Sequence, residues 1–287
     1  MRDYVIFTDS SCDLPAELAG EMGVEVLNLE VNVEGIGTKL NNEIDPQEFY
    51  AYLRNKRSAK TSAVNMERFS EAFEKIVTEG KDILYLGFSS GLSATYTAGK
   101  NAAEEVMDKY PDSKIIAVDT LCAALGQGLL VKLAVDKKNT GATIDETAAW
   151  VEENKLHLAH WFTVEDLFFL KRGGRVSSAT AVLGTVLQIK PVMHVDNEGK
   201  LINVQKARGR DASIKAMLAK MRETAIDPEN QTVYICHGDC YDDAKRLADM
   251  ISAEFGIKDI LIGYVGPVIG AHSGPGTLAL FFLAKER

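Results

Sequence analysis

The run Ile83-Leu84-Tyr85-Leu86-Gly87-Phe88 leads straight into Ser89-Ser90-Gly91-Leu92-Ser93-Ala94-Thr95-Tyr96, and this junction decides the fold class. A near-continuous apolar run of strand length suits a strand covered on both faces, as in the middle of a parallel sheet. The hydroxyl- and glycine-containing stretch after it reads as a turn that opens a helix near Ser93. The same pattern repeats outward in both directions. On the N-terminal side, Tyr4-Val5-Ile6-Phe7-Thr8 is a strand, Ser10, Ser11 and Asp13 supply turn and cap groups, and Pro15 falls in the first turn of a short helix. Val24-Glu25-Val26-Leu27-Asn28-Leu29 is the next strand, Asp45-Pro46 opens a helix, and Met66–Thr78 is another, with Phe69, Phe73 and Ile76 on one face. On the C-terminal side, Lys114-Ile115-Ile116-Ala117-Val118 precedes a helix over 126–136. Strands alternating with helices imply βαβ units and a parallel sheet with helices on both faces.

The second half follows a different rule. Val192-Met193-His194-Val195 and Lys200-Leu201-Ile202-Asn203-Val204 flank Asp196-Asn197-Glu198-Gly199, a hairpin turn signal. Helices over 211–223 and 242–255 surround the strand Thr232-Val233-Tyr234-Ile235, and Ile260-Leu261-Ile262-Gly263 with the apolar segment 277–284 complete a mixed sheet. The expected architecture is an N-terminal α/β domain over 1–156 with a mainly parallel sheet, and a C-terminal α+β domain over 157–287. No Pro/Gly/Ser-rich linker marks the boundary.

Lys and Arg total 32 against 41 Asp and Glu, a net charge of -9, so a general attraction to nucleic acid is not expected. No apolar run reaches the roughly 18 residues of a membrane span, and the expectation is a cytoplasmic protein without an integral membrane segment. Four scattered cysteines point to reduced thiols. Cys236-His237-Gly238-Asp239-Cys240 has no second ligand pair at zinc-like spacing and reads as a strand end followed by a turn.

Phosphate-loop, dinucleotide and His-Glu-x-x-His signatures are missing. Ligands of parallel sheets sit at the carboxyl ends of strands, which directs attention to loops. Three carry hydroxyls: Thr8-Asp9-Ser10-Ser11-Cys12-Asp13-Leu14-Pro15, Ser89–Tyr96, and Lys60-Thr61-Ser62-Ala63 between two helices. Each reads either as an anion receptor built on a helix start or as a plain N-cap, and the two roles share geometry. Leu167-Phe168-Phe169-Leu170-Lys171-Arg172-Gly173-Gly174-Arg175-Val176-Ser177 is either a helix end closed by glycine or a loop presenting arginines to an anion or partner. In Gly266-Pro267-Val268-Ile269-Gly270-Ala271-His272-Ser273-Gly274-Pro275-Gly276, a rigid glycine- and proline-rich loop, His272 is the one ionisable side chain, either structural or ligand-binding.

Together with Lys190-Pro191, these segments, in this order over almost the whole chain, resemble the DegV family. The resemblance implies two domains with a single long-chain fatty acid buried between them and no other cofactor. It further implies that the acyl carboxylate is presented to a separate ATP-dependent fatty acid kinase, which makes an acyl-phosphate for phospholipid synthesis; transient membrane contact fits that role. Carried over by motif, Thr61 and Ser93 are the carboxylate contacts, joined by Ser62 and His272, while Arg172 serves the head-group or kinase-facing surface. One departure is Ala63-Val64-Asn65-Met66, where many relatives have a proline-containing stretch.

The physics of a lipid agrees. About 15 tail carbons at about 0.8 kcal/mol each give a gross gain on the order of 12 kcal/mol, much of it offset by ordering. The tail then supplies affinity, and the carboxylate's hydrogen bonds fix orientation. Phe162, Leu167, Phe168, Phe169, Val186, Leu187 and Ile189 are the expected apolar lining. Two other readings compete. An acyl hydrolase or transferase would use Ser93 as nucleophile and His272 as base, although Thr95 stands where the Gly-x-Ser-x-Gly elbow needs its second glycine. A dihydroxyacetone-kinase-like protein would instead show a small polar pocket.

Overall fold

The structure, a computed structural model, describes residues 2–177 and 189–287. The apolar run is β6 (Asp82–Gly87), buried at every position. With β1 (Tyr4–Asp9), β2 (Val24–Leu27) and β7 (Ile115–Asp119) it forms a parallel sheet of order β2-β1-β6-β7. The helices of this half are α1 (Ala16–Glu21), α2 (Pro46–Arg54), α3 (Met66–Thr78), α4 (Thr95–Lys109), α5 (Leu125–Asn139) and α6 (Ile144–Asn154). Asn65 caps α3 by accepting the Arg68 N–H at 3.0 Å. The predicted apolar face of α3 then meets the sheet in an aromatic cluster, with Phe73 at 4.9 Å from Phe7 and Phe69 at 5.1 Å from Tyr85.

A second, small sheet was not anticipated. β3 (Glu30–Val33), β4 (Gly37–Leu40) and β5 (Ala59–Ser62) pair antiparallel in the order β4-β3-β5. Thr61 is therefore a strand residue opposite Val31, not part of an inter-helix loop. Polar β5 borrows its regularity from β3, whose Val31 and Val33 are completely buried. Pro15 precedes α1 as its cap residue, and the helix expected at Ser93 begins at Thr95.

The third sheet is mixed, as expected. It contains β8 (Leu158–Thr163), β9 (Ile189–Val195), β10 (Leu201–Arg208), β11 (Val233–His237), β12 (Ile260–Tyr264) and β13 (Leu278–Leu283), in the order β10-β9-β8-β13-β11-β12. Only β11 and β12 run parallel. Between β9 and β10 lies the predicted hairpin turn, and Ser89 of the first half donates to its Gly199 carbonyl at 2.8 Å. Among the described residues, the helices of this half are α7 (Leu167–Arg172), α8 (Arg210–Thr224), α9 (Tyr241–Phe255) and α10 (Pro267–Ser273). α7 ends at Arg172 with Gly173 as its cap, so the basic segment is a helix terminus followed by a turn, and that turn carries Arg175. The glycine- and proline-rich segment expected to be a loop is largely α10, with Pro267 at its start and Gly274 ending it at φ +79°.

Side chains of the mixed sheet alternate between two cores. Ala159, Trp161, Ile235, Leu280 and Phe282 join Ile214, Met217 and Leu247 of α8 and α9. Phe162, Cys236, Ala279 and Phe281 belong to the core of the first half. α5 connects the two, packing on β1 and also on β8, β11 and β13. Its residues 125–131 are buried without a break. Gly126 permits this contact, because a Cβ there would lie 2.2 Å from His160 Nε2 and 2.7 Å from Phe281.

Candidate functional site

A cavity of about 320 Å³ lies where the loops after β6 and β7 face the inner surface of the mixed sheet. This is the carboxyl end of the parallel strands, where such sheets place ligands. Its volume is at the lower end of the range for small-molecule sites, roughly 300–1,000 Å³. Leu29, Phe88, Leu92, Phe162, Val195 and Phe281 represent its apolar walls. Of the lining expected from sequence, Phe162 is in the wall, Leu167, Phe168, Phe169 and Ile189 are not, and 186 and 187 lie outside the described residues.

Polar groups gather from four elements. Thr61 and Ser62 come from β5, Ser93 from the loop before α4, His272 and Ser273 from α10, and Arg175 from the turn after α7. Thr61 Oγ1 and His272 Nε2 are hydrogen-bonded at 2.7 Å, although 211 residues separate them in the chain. Ser93 Oγ accepts the Thr95 N–H at 3.2 Å and shares a hydrogen bond with Thr95 Oγ1 at 2.9 Å. Its role at the helix start is thus local, while the residue still lines the cavity. Arg175 Nε donates to the Leu92 carbonyl at 3.1 Å, and its guanidinium also bonds the Gly173 carbonyl, tying the end of α7 to the Ser93 loop.

Arg172 is placed differently. It is exposed, lies 4.7 Å from the centre of the Phe169 ring, and is not part of the cavity wall. Arg175, which the sequence reading did not single out from the other basic residues of its segment, is the one lining residue among those described with a permanent charge. Burial, and then Arg175 and Arg172, pull the His272 pKa down to about 4, so its imidazole is neutral near pH 7. The neutral His272 imidazole, the hydroxyls of Thr61, Ser62 and Ser93 and the Arg175 guanidinium, with no carboxylate among the described residues of the wall, make a receptor for an anionic oxygen group.

His160 is a second buried imidazole in the wall, absent from the sequence-derived site. Its Nδ1 meets the Leu158 carbonyl at 2.9 Å and its Nε2 accepts the Ala123 N–H at 3.3 Å. Both ring nitrogens are occupied, and burial holds its pKa well below the usual value. It serves as a neutral wall side chain.

The Thr8–Pro15 motif turns inward and holds the wall from behind. The Asp9 carboxylate accepts N–H bonds from Phe88 at 2.9 Å and Ser11 at 3.1 Å, and Ser10 Oγ accepts the Leu29 N–H at 2.9 Å. The hydrolase reading needs Ser93 and His272 in contact, yet each is bonded to a different partner, and among the described residues His272 Nδ1 has no hydrogen-bond partner to orient it. The walls are also too apolar for the small polar pocket of a dihydroxyacetone-kinase-like protein.

A family model described as "Uncharacterised protein, DegV family" matches residues 3–285. The chain belongs to the DegV family. A DegV domain-containing protein of Clostridium perfringens is 47% identical over 100% of this chain and 99% of its own. Among solved structures, a DegV family protein from Thermus thermophilus, described by its fatty acid binding, superposes with a TM-score of 0.88 at 30% identity, covering 99% of this chain and 100% of that one. A DegV lipid-binding protein from Thermotoga maritima gives a TM-score of 0.85 at 29% identity, with 99% of each chain covered. The DegV fold, a parallel sheet joined to a mixed one, is the one expected from the motif order. The three hydroxyl-bearing DegV segments divide into two that line the cavity and one that supports it.

Proposed function

We propose that this chain binds one long-chain fatty acid, its tail between the two large sheets and its carboxylate at Thr61, Ser62, Ser93 and His272. Arg175 supplies the compensating charge. The observation that carries this reading is the hydrogen-bonded Thr61–His272 pair among the polar groups of a mostly apolar cavity. The Thermus and Thermotoga relatives described as binding fatty acid or lipid support it. A buried carboxylate needs its hydrogen bonds mainly to avoid being left unpaired, and the tail provides most of the affinity.

The finer reading has three parts. The chain acts as a carrier, not an enzyme, and presents the carboxylate to a separate ATP-dependent fatty acid kinase for acyl-phosphate formation and phospholipid synthesis. Arg172, exposed beside the site, belongs to the kinase-facing surface. The chain divides at 156/157 into an N-terminal domain with the parallel sheet and a C-terminal domain with the mixed one, and it works in the cytoplasm with transient membrane contact. No helix among the described residues is long and apolar enough to cross a membrane.

Native mass spectrometry of the protein purified from cells should show a single co-purified fatty acid. A chain that never carries one, and that ignores palmitate added after delipidation, would overturn the reading. Arg172→Ala should impair phosphorylation of bound fatty acid more than binding itself, and equal losses would move Arg172 into the pocket.

A further inference from the structure

Ser273 follows His272 on α10, is 5% exposed, and lines the cavity, yet its hydroxyl has no hydrogen-bond partner among the described residues. A buried helical serine ordinarily donates back to a carbonyl of the preceding turn. Here no such bond is made: the Gly270 carbonyl accepts the Gly274 N–H at 2.8 Å, and the Ser273 carbonyl accepts from Thr277 Oγ1 at 3.0 Å. The backbone around Ser273 is engaged and the side chain is not. Most neighbouring polar side chains of the wall are committed elsewhere: Thr61 to His272, Ser93 to Thr95, His160 to Leu158 and Ala123, and Thr277 to Ser273 and Gly274, whereas His272 Nδ1 shares the lack of a partner.

Native structures rarely leave a buried hydroxyl unsatisfied, and a ligand atom is one way to complete it. Successive helical residues leave the axis about 100° apart, so Ser273 does not share the direction in which His272 reaches Thr61. A hydroxyl both donates and accepts, which matches a neutral oxygen. We propose that Ser273 is a second polar contact of this cavity, apart from the carboxylate receptor, which accommodates acyl chains carrying an in-chain oxygen, a hydroxyl or keto group. The inference rests on the fatty-acid reading above and adds a substrate class to it.

The test uses the delipidated full chain and measures affinity for octadecanoic acid and for octadecanoic acids hydroxylated beside the carboxylate, in mid-chain or near the methyl end. At least one in-chain isomer should bind no more weakly than octadecanoic acid. Ser273→Ala should weaken that isomer roughly three- to tenfold, the worth of one hydrogen bond, and leave octadecanoic acid unchanged. Ligand-free Ser273→Ala should also melt no lower than the natural chain, because it removes an unsatisfied hydroxyl.

Equal weakening of octadecanoic acid would place Ser273 in the carboxylate receptor and overturn the inference. Uniformly weaker binding of the hydroxylated acids, with no effect of Ser273→Ala, would mean that the hydroxyl is satisfied by water alone. Failure of octadecanoic acid itself to bind would overturn the fatty-acid reading and this inference together, whereas rejection confined to the hydroxylated acids overturns only the inference.

Discussion

At the scale of single residues, His272 contributes to the pH behaviour. Its pKa in the folded chain is about 4, below the ordinary value near 6.5. Between these values the unfolded chain binds the proton and the folded chain does not. Stability from this group is therefore full above about pH 6.5 and is lost as pH falls toward 4. Replacing it by glutamine should flatten the ligand-free stability curve in that window by at most about 1.4 kcal/mol per pH unit, read from urea midpoints. His160, His194 and His237 leave a residual slope, because burial depresses each in the same direction. Thr61→Val should weaken fatty-acid binding about tenfold or less, as expected for one hydrogen bond on a ligand held chiefly by its tail. Isothermal titration checks this, and a loss of a thousandfold would show that the carboxylate receptor dominates. Thr61, Ser93 and His272 were legible because hydroxyls and an isolated histidine stood in loop-like motifs. Arg175 was not singled out, since spacing cannot tell which of two arginines around a Gly-Gly turn points inward. Gly174, at φ +73°, redirects the chain there, and Arg175 reaches the Leu92 carbonyl.

Among elements, legibility followed periodicity. β6 was readable because it is apolar throughout, and α3 because its buried residues repeat at helical spacing. β8 was missed although all six of its residues are buried. Its sequence, Leu-Ala-His-Trp-Phe-Thr, serves two cores at once and shows no alternation of polar and apolar positions. β5 was missed for the opposite reason: its polar sequence has no strand signal, and only pairing with β3 makes it a strand. α10 was hidden because glycine and proline usually break helices, whereas proline at the first position starts one. The close approach of α5 to β8 and β13 yields a prediction at this scale. Gly126→Ala should destabilise the protein by about 1–3 kcal/mol, since the added methyl meets His160 and Phe281 in a packed core. A melting temperature unchanged by this substitution would show that the two side chains yield freely.

For the whole molecule, the division into a parallel and a mixed sheet was visible from the change of pattern between the two halves. Their manner of joining was not, because contacts between distant segments leave no local trace in the sequence. One hydrophobic core runs through both halves, linking Leu125 and Leu129 with Phe162, Tyr234 and Phe281. Thermal unfolding should therefore be a single calorimetric transition, and two separated transitions would contradict the shared core. Palmitate at about 100 times its dissociation constant should raise stability by about 2.7 kcal/mol, shifting that one transition upward as a unit.

The uninterrupted burial of residues 125–131 has a further consequence, for recombination. α5 lies within the first half of the chain, but β8, β11 and β13 of the second half complete its surroundings. A chimaera that joins the first half of this chain to the second half of a relative brings together two surfaces shaped on different partners. The mismatch would fall on α5, so exchange between relatives is cleanest when α5 and the inner face of the mixed sheet travel together.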